Sequence, residues 1–344
     1  MRNALLAGVL GAGLATGAAA STAAPSVVAT IPAIHGLTAA VMDGVGEPRL
    51  LLPPGTSPHA CSLKPSDAAA LEDAELVVWI GDALETFLAR SLDNLAGDAR
   101  RLALIDAPGV EVLRFAAGDA AHGHGDVGHG DDGHGDAGHG DDGHGDAGHG
   151  DDGHGDVGHG DDGHGRSHAR GDVDPHIWLS PANAAAMTRA IAATLVELDP
   201  AHGDTYRANA AATVAEIEAL AGELEADLAP VRDVPFVVFH DAYGYFEDAF
   251  GLQDVGAVTL SPDQSPGTAH VAELRRTIRA AEAVCVFAEP QFEPRLVETL
   301  VAGTAVRTGE LDPVGTDLAP GPDAYFRLMR GLADDLVDCL AAAG

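Results

Sequence analysis

Residues 122–168 hold 11 His, 12 Asp and 18 Gly in 47 positions, with almost no apolar side chain. At the centre, a ten-residue unit, Asp-Val/Ala-Gly-His-Gly-Asp-Asp-Gly-His-Gly, is repeated four times over 126–165. Such a segment buries too little apolar surface to offset chain entropy, and its period is too short for a helical solenoid. Residues 119–171 are therefore expected as a disordered insertion. Any folded core must come from the two flanks.

Both flanks alternate strand and helix patterns. Before the insertion, strands are expected at 26–31, 50–52, 76–80 and 101–105, with helices at 32–43, 66–74 and 84–92. Ser66 is the expected N-cap of the second helix. After it, Ser180 and Pro181 fit N-cap and first-turn positions of another helix. A longer helix over 201–228 carries Tyr206, Val214, Ile217, Leu220 (or Ala221), Leu224 and Leu228 at three- to four-residue spacing. Strands at 235–239, 255–260, 283–288 and 304–307 then alternate with helices at 243–250, 270–280, 294–302 and 323–340. Alternation of this kind implies an α/β fold of two lobes, each a parallel sheet covered by helices, flanking a long helix. The expected division is 25–180 for the first lobe, 181–230 for the helical segment and 231–344 for the second lobe.

The formal charge of −34 opposes nucleic acid and anionic membrane surfaces as partners and suits metal cations. Residues 1–24 read as a secretory signal peptide: Met1-Arg2-Asn3, an apolar run, then small residues at Ala18-Ala19-Ala20 or Thr22-Ala23-Ala24 for cleavage. The run is Gly-broken and short for a membrane span, and no later segment is apolar enough to cross a bilayer. Export permits a disulfide. With three cysteines, Cys61, Cys285 and Cys339, at most one forms, and spacing does not choose the pair.

Zinc sites gather imidazole, thiolate or carboxylate donors in a tetrahedron, and imidazole-rich sets suit zinc over harder cations. Six His lie outside the insertion: His35, His59, His176, His202, His240 and His270. His240 ends the apolar run Phe236-Val237-Val238-Phe239, where open parallel sheets bind ligands. His59 lies in a proline-stiffened loop, and His176 follows Asp174-Pro175 ahead of a capped helix. His202 and His270 sit at helix starts and read as structural; His35 is ambiguous. Two acids also follow strands, Glu289 and Asp312. Asp312 is the candidate fourth ligand, with a bound water as its rival and an ordinary turn-starting role as the plainer reading.

Several stretches resemble the ZnuA-type periplasmic zinc-binding proteins. They are Ser57-Pro58-His59, Ser62-Leu63-Lys64-Pro65-Ser66-Asp67, Asp174-Pro175-His176-Ile177-Trp178-Leu179-Ser180-Pro181, Phe239-His240-Asp241-Ala242-Tyr243-Gly244-Tyr245-Phe246-Glu247, Cys285-Val286-Phe287-Ala288-Glu289-Pro290-Gln291-Phe292 and Leu311-Asp312-Pro313. They run in order along nearly the whole mature chain. The resemblance implies His59, His176 and His240 as zinc ligands in a cleft between lobes joined by a rigid long helix. It also implies a disulfide between Cys285 and Cys339 and delivery of Zn2+ to an ABC-type permease. Related manganese and iron binders usually carry a carboxylate where this chain has His240, so that residue favours zinc. Cys61 departs from the pattern, which commonly has an aromatic residue there.

The expected function is therefore capture and hand-over of Zn2+ by a periplasmic protein, expected as a monomer and not an enzyme. Affinity is expected to fall below about pH 6 as ordinary imidazoles protonate. The insertion's histidines, His122, His124, His129, His134, His139, His144, His149, His154, His159, His164 and His168, would act as a weak zinc antenna. A zinc sensor and a neutral repeat expansion are the alternatives. The rival function is a zinc hydrolase with Glu289 as base, although no HExxH pair or other compact catalytic motif is present.

Overall fold

A computed structural model describes residues 23–53, 55–59, 61–115, 173–259, 266–292 and 295–341. Residues 1–22 of the expected leader, and all of 119–171 with its eleven histidines, lie outside them. The first sheet contains β1 (Val27–Ala29), β2 (Arg49–Leu50), β3 (Leu76–Trp79) and β4 (Arg100–Ala103) in the order β2-β1-β3-β4. The second contains β5 (Phe236–His240), β6 (Asp254–Thr259), β7 (Cys285–Ala288) and β8 (Arg307–Glu310) in the order β6-β5-β7-β8. All pairings within both sheets are parallel, and the two orders are equivalent.

Each central strand is apolar on both faces, as a sheet covered on both sides requires. Successive side chains of a strand point to opposite faces, and the packing follows that period. Leu76 and Val78 of β3 join the main core, whereas Val77 and Trp79 join a separate outer cluster with Leu71, Leu88 and Leu92. In β5, Phe236 and Val238 face the main core, and Val237 and Phe239 face an outer cluster with Leu274, Ile278 and Leu300. The outer covers are thus α2 (Pro65–Glu72) and α3 (Thr86–Leu95) on one lobe, and α7 (Thr268–Ala280) and α8 (Arg295–Val301) on the other.

The inner faces of both sheets share one hydrophobic core with α1 (Pro32–Met42), α4 (Pro181–Leu198), α5 (Gly203–Leu228) and α9 (Ala324–Leu340). Helix α5 is 26 residues long, about 40 Å at 1.5 Å per residue. Its buried stripe is Tyr206, Ala210, Val214, Ile217, Leu220, Leu224 and Leu228, which selects Leu220 over Ala221. It packs against α1, α4 and α9. One continuous core thus joins the inner faces of both sheets. The short α6 (Gly244–Phe250) follows β5 and ends on Gly251, whose φ of 68° suits glycine. Among the described residues no helix is long and apolar enough to cross a membrane.

Two local expectations are corrected. Helix α2 begins at Pro65, so Lys64, not Ser66, holds the N-cap position; Asp67 closes the turn by accepting from the Lys64 N–H at 3.0 Å. Strand β8 lies three residues beyond its expected start, because Thr304 is bound back to Val301 O at 2.7 Å in a turn. The register with β7 then runs from Cys285 opposite Arg307 to Ala288 opposite Glu310. The Ser180 cap holds, its hydroxyl accepting from Asn183 N at 3.3 Å.

Cys285 of β7 is disulfide-bonded to Cys339 of α9, closing a sequence separation of 54 residues. Gly309 of β8 permits the close packing there: a Cβ would lie 2.6 Å from Phe287 Cε1 and 3.2 Å from Cys339 Sγ. Closing a loop of this length restricts the unfolded chain by about 4 kcal/mol in the chain-entropy model. The double substitution Cys285→Ala/Cys339→Ala is expected to lower unfolding free energy by about 2–5 kcal/mol, read by urea denaturation. A change below about 1 kcal/mol would contradict this role for the bridge.

Candidate metal centre

The strand register itself builds one side of the site. Phe236 pairs with Cys285 and Val237 with Val286. Continued along two parallel strands, that offset sets His240, the last residue of β5, beside Glu289, the first residue after β7. The His240 Nδ1 and Glu289 Oε1 atoms are 2.5 Å apart, with both side chains buried. The Tyr243 hydroxyl reaches Glu289 Oε1 at 3.4 Å and Leu311 O at 3.3 Å. Burial, and then the negative field of Glu289, push its pKa well above 10, so it remains a neutral donor.

His176 arrives from the other lobe. Arg114 and Val173 form an antiparallel bridge, and Asp174 N donates to Leu113 O at 3.1 Å, so the chain leaves and re-enters the described fold at one point. The Tyr245 hydroxyl of α6 accepts from Leu113 N at 2.8 Å and donates to Asp174 O at 2.9 Å, tying this stem to the second lobe. Asp174 Oδ1 accepts from the His176 backbone N–H at 3.0 Å and lies 2.7 Å from its Nδ1. A 3-10 turn, Ile177–Leu179, follows. Within it, the fully buried Trp178 donates from Nε1 to Pro313 O at 2.7 Å. His59 comes from the loop beyond β2; its N–H donates to Ser57 Oγ at 3.3 Å.

These three chain-distant imidazoles converge. Ring centroids are 5.3 Å apart for His59 and His176, 5.1 Å for His176 and His240, and 5.6 Å for His59 and His240. The Nε2 atom of His176 lies 3.2 Å from that of His59 and 3.2 Å from that of His240. Carboxylates at the Nδ1 atoms of His176 and His240 assign the ring proton to that side. Their Nε2 lone pairs therefore face each other, an arrangement that repels by itself and attracts around a cation. Tetrahedral zinc with Zn–N bonds of about 2.0–2.1 Å sets its nitrogens about 3.3–3.4 Å apart. The observed spacing fits that ion.

Burial keeps two of the rings, His59 and His176, in the neutral form. Burial, reinforced by His176 and His240, lowers the pKa of His59 to about 2. Burial and then His240 lower that of His176 well below 6.5. Burial also pushes the Asp174 carboxyl up to about 7, against the opposing pull of the His176 N–H and of His240. A divalent ion on the far side of the imidazole would favour the carboxylate form. The enclosed space between the rings, also lined by Glu289, Gln291 and Pro313, is about 10 Å³, enough for about one water or ion.

Among the described residues, His59, His176 and His240 are the group whose donor atoms all lie within 4.8 Å of one another. Asp312, expected as a fourth donor, is not in it. Its Oδ1 accepts from Gln291 Nε2 at 2.7 Å, Val314 N at 3.1 Å and Gly315 N at 3.0 Å, and its Oδ2 accepts from Thr316 N. Both oxygens take part in holding the turn after Pro313. Cys61 is a half-buried free thiol outside the donor group, its pKa raised chiefly by burial. The other histidines are engaged elsewhere: His35 Nε2 with Pro48 O at 3.0 Å, His202 Nδ1 with Asp199 Oδ2 at 2.6 Å, and His270 Nε2 with Ala257 O at 3.2 Å. Sequence reasoning gave no role to Asp174 as an orienting group, although an acid two residues before a candidate His is the signal for one. It placed Glu289 after a strand without pairing it to His240, which needs the β5–β7 register.

The sequence matches the family described as zinc-uptake complex component A periplasmic, ZnuA, over residues 27–339. A high-affinity zinc uptake system protein ZnuA of Brucella suis is 45% identical over 343 residues, covering 99% of this chain and 97% of that protein. Its counterpart in Paracoccus denitrificans is 43% identical, covering 97% and 98%. Among solved structures, a ZnuA crystal structure aligns with TM-score 0.68 at 24% identity, covering 91% of this chain and 99% of that one. The periplasmic zinc-binding protein TroA of Treponema pallidum aligns with TM-score 0.70 at 20% identity, covering 92% and 99%. At such identities these structures support the fold alone, whereas the family match and the full-length relatives carry the assignment: the chain belongs to the ZnuA family of periplasmic zinc-uptake components.

Proposed function

We propose that this protein is the exported zinc-capturing component of an uptake system. It takes one Zn2+ between its lobes on the Nε2 atoms of His59, His176 and His240, with a water in the fourth place, and delivers it to a membrane ABC permease. The observation that carries the reading is the pair of 3.2 Å contacts among three Nε2 atoms, two of them oriented by buried carboxylates. The division into 25–180, 181–230 and 231–344, cleavage of the leader and a monomeric state belong to the same reading. Three imidazoles without a carboxylate ligand suit zinc better than manganese or iron(II). A hydrolase is disfavoured on two grounds: Glu289 is committed to His240, and a space of about 10 Å³ has no room for an organic substrate.

The sequence of events follows from the groups present. Zn2+ meets rings that are already gathered, two of them aimed by carboxylates, so little rearrangement accompanies binding. Asp174 and Glu289 hold the ring protons on Nδ1 and raise the basicity of Nε2. His59 is the most accessible of the three, and its loop offers the local movement through which the ion enters and leaves. The insertion would raise the zinc concentration near the stem at residues 114 and 173, which lies three residues from His176.

Three outcomes test this. Purified protein should bind one Zn2+ tightly, and His240→Ala should abolish that site while leaving the circular dichroism spectrum unchanged. Glu289→Gln should weaken it about 10–100-fold, measured by chelator competition. Wild-type affinity in His240→Ala would sink the assignment.

The lowered pKa values of His59 and His176 revise the expected onset of acid release near pH 6. A histidine whose pKa is depressed below 6.5 takes up its proton only at more acid pH, so proton competition with zinc begins later. Two ordinary imidazoles would together cost about 100-fold in apparent affinity at pH 5.5. That share should be missing when affinities at pH 7.5 and 5.5 are compared, and a fall of 100-fold or more would contradict it. Finally, deletion of residues 123–165 should leave the tight site intact and remove a weaker, multi-site phase from a zinc titration. Loss of the tight site on deletion would refute the three-ligand assignment.

A further inference from the structure

Gln291 lines the same space as His59, His176 and His240. It sits two residues beyond Glu289, in the turn after β7. Its side-chain Nε2 lies 2.7 Å from Asp312 Oδ1 and 2.5 Å from Thr316 Oγ1. A carboxylate oxygen only accepts hydrogen bonds, so the amide NH2 must be the end that faces Asp312, and the carbonyl must face the other way. That carbonyl oxygen, Oε1, is buried and has no hydrogen-bond partner among the described residues. A buried acceptor left this way is costly and calls for an explanation.

We propose that Gln291 is a positioning residue for the captured ion: its Oε1 accepts a hydrogen bond from the water in the fourth place on Zn2+. The inference rests on the three-histidine zinc reading and deepens it. A water on zinc is strongly polarised and donates hydrogen bonds readily. Glu289 cannot serve with its Oε1, which is held by His240 Nδ1 at 2.5 Å. Gln291 offers a neutral acceptor instead, fixed in direction by the anchor at its other end. The anchor is itself rigid, because Asp312 also takes the N–H groups of Val314, Gly315 and Thr316.

This assigns Asp312 an indirect part. It holds the amide that holds the water. The choice of an amide also has a consequence for transport. A carboxylate at this position would displace the water and add a negative charge to the donor set, whereas a carbonyl orients the water and leaves a neutral set that can give the ion up.

The test combines a zinc-loaded crystal structure of the wild-type protein with a Gln291→Met variant, which keeps length and removes the amide. Expected are a zinc-bound oxygen within hydrogen-bond distance of Gln291 Oε1, and about a tenfold or greater loss of zinc affinity in the variant. Cobalt(II) loading supplies a reading that a purely structural role would not move: the visible absorption bands of the bound ion should change in Gln291→Met at unchanged melting temperature. The proposal is overturned if Oε1 binds zinc directly, if it lies away from any zinc-bound oxygen, or if the variant keeps wild-type affinity and cobalt spectrum. If the variant does not fold, the wild-type structure decides alone. Zinc bound away from the three imidazoles, or not bound at all, would instead refute the underlying zinc reading.

Discussion

Two carboxylate–imidazole contacts govern this site, Asp174 with His176 and Glu289 with His240. An imidazole alone can present either nitrogen and either face. Once Nδ1 is committed to a buried carboxylate, the lone pair on Nε2 has a fixed direction, and two such lone pairs meet at 3.2 Å. That is a poor arrangement for an empty-handed protein and a good one for a cation. The fold is arranged to enforce it. The parallel register of β5 and β7 supplies one pair, and the 3-10 turn anchored through Trp178 supplies the other.

Enforcement requires that the lobes not drift, since His176 and His240 come from opposite halves of the chain. The shared core provides this. Inner-face residues of both sheets, together with α1, α4, α5 and α9, form one cluster. Interior packing transmits strain and resists gradual deformation, so a wide opening of the cleft would expose much of that cluster. Movement is left to the loops. His59, on a loop and with no carboxylate bonded to its Nδ1 among the described residues, is the member best placed to move.

Much of this was legible in the sequence. Periodicity located the eight strands and nine α-helices of the described residues to within a few residues, and the register of apolar residues in α5 picked its buried face. The exceptions are instructive. Strand β8 slid because its pairing partner, not its own apolar content, sets its start, and α2 began one residue early because proline at the first helical position outweighed a serine cap. In the site, loop stiffness and strand-end placement made the three histidines candidates, and the family resemblance named them together as ligands. They did not show what orients them, because Glu289 lies 49 residues from His240 and meets it only across the sheet. Asp312 was hard to place for the converse reason: an acid beyond a strand looks like a ligand, and its contacts with the backbone N–H groups of its own turn appear only in the fold.

The charge distribution ties the site to its task. The chain carries a formal −34, which draws cations toward the molecule, yet the three atoms that would touch the ion are imidazole nitrogens rather than carboxylate oxygens. The acidic groups stand behind the rings, at the Nδ1 atoms, as Asp174 and Glu289. A site with both carboxylates directly on the ion would hold it through full Coulombic attraction in a poorly hydrated interior, and that attraction strengthens steeply as the local dielectric falls. Imidazoles between charge and ion soften the dependence while keeping direction. Capture then follows from geometry and long-range attraction, and release remains possible, as a carrier that must surrender its cargo requires.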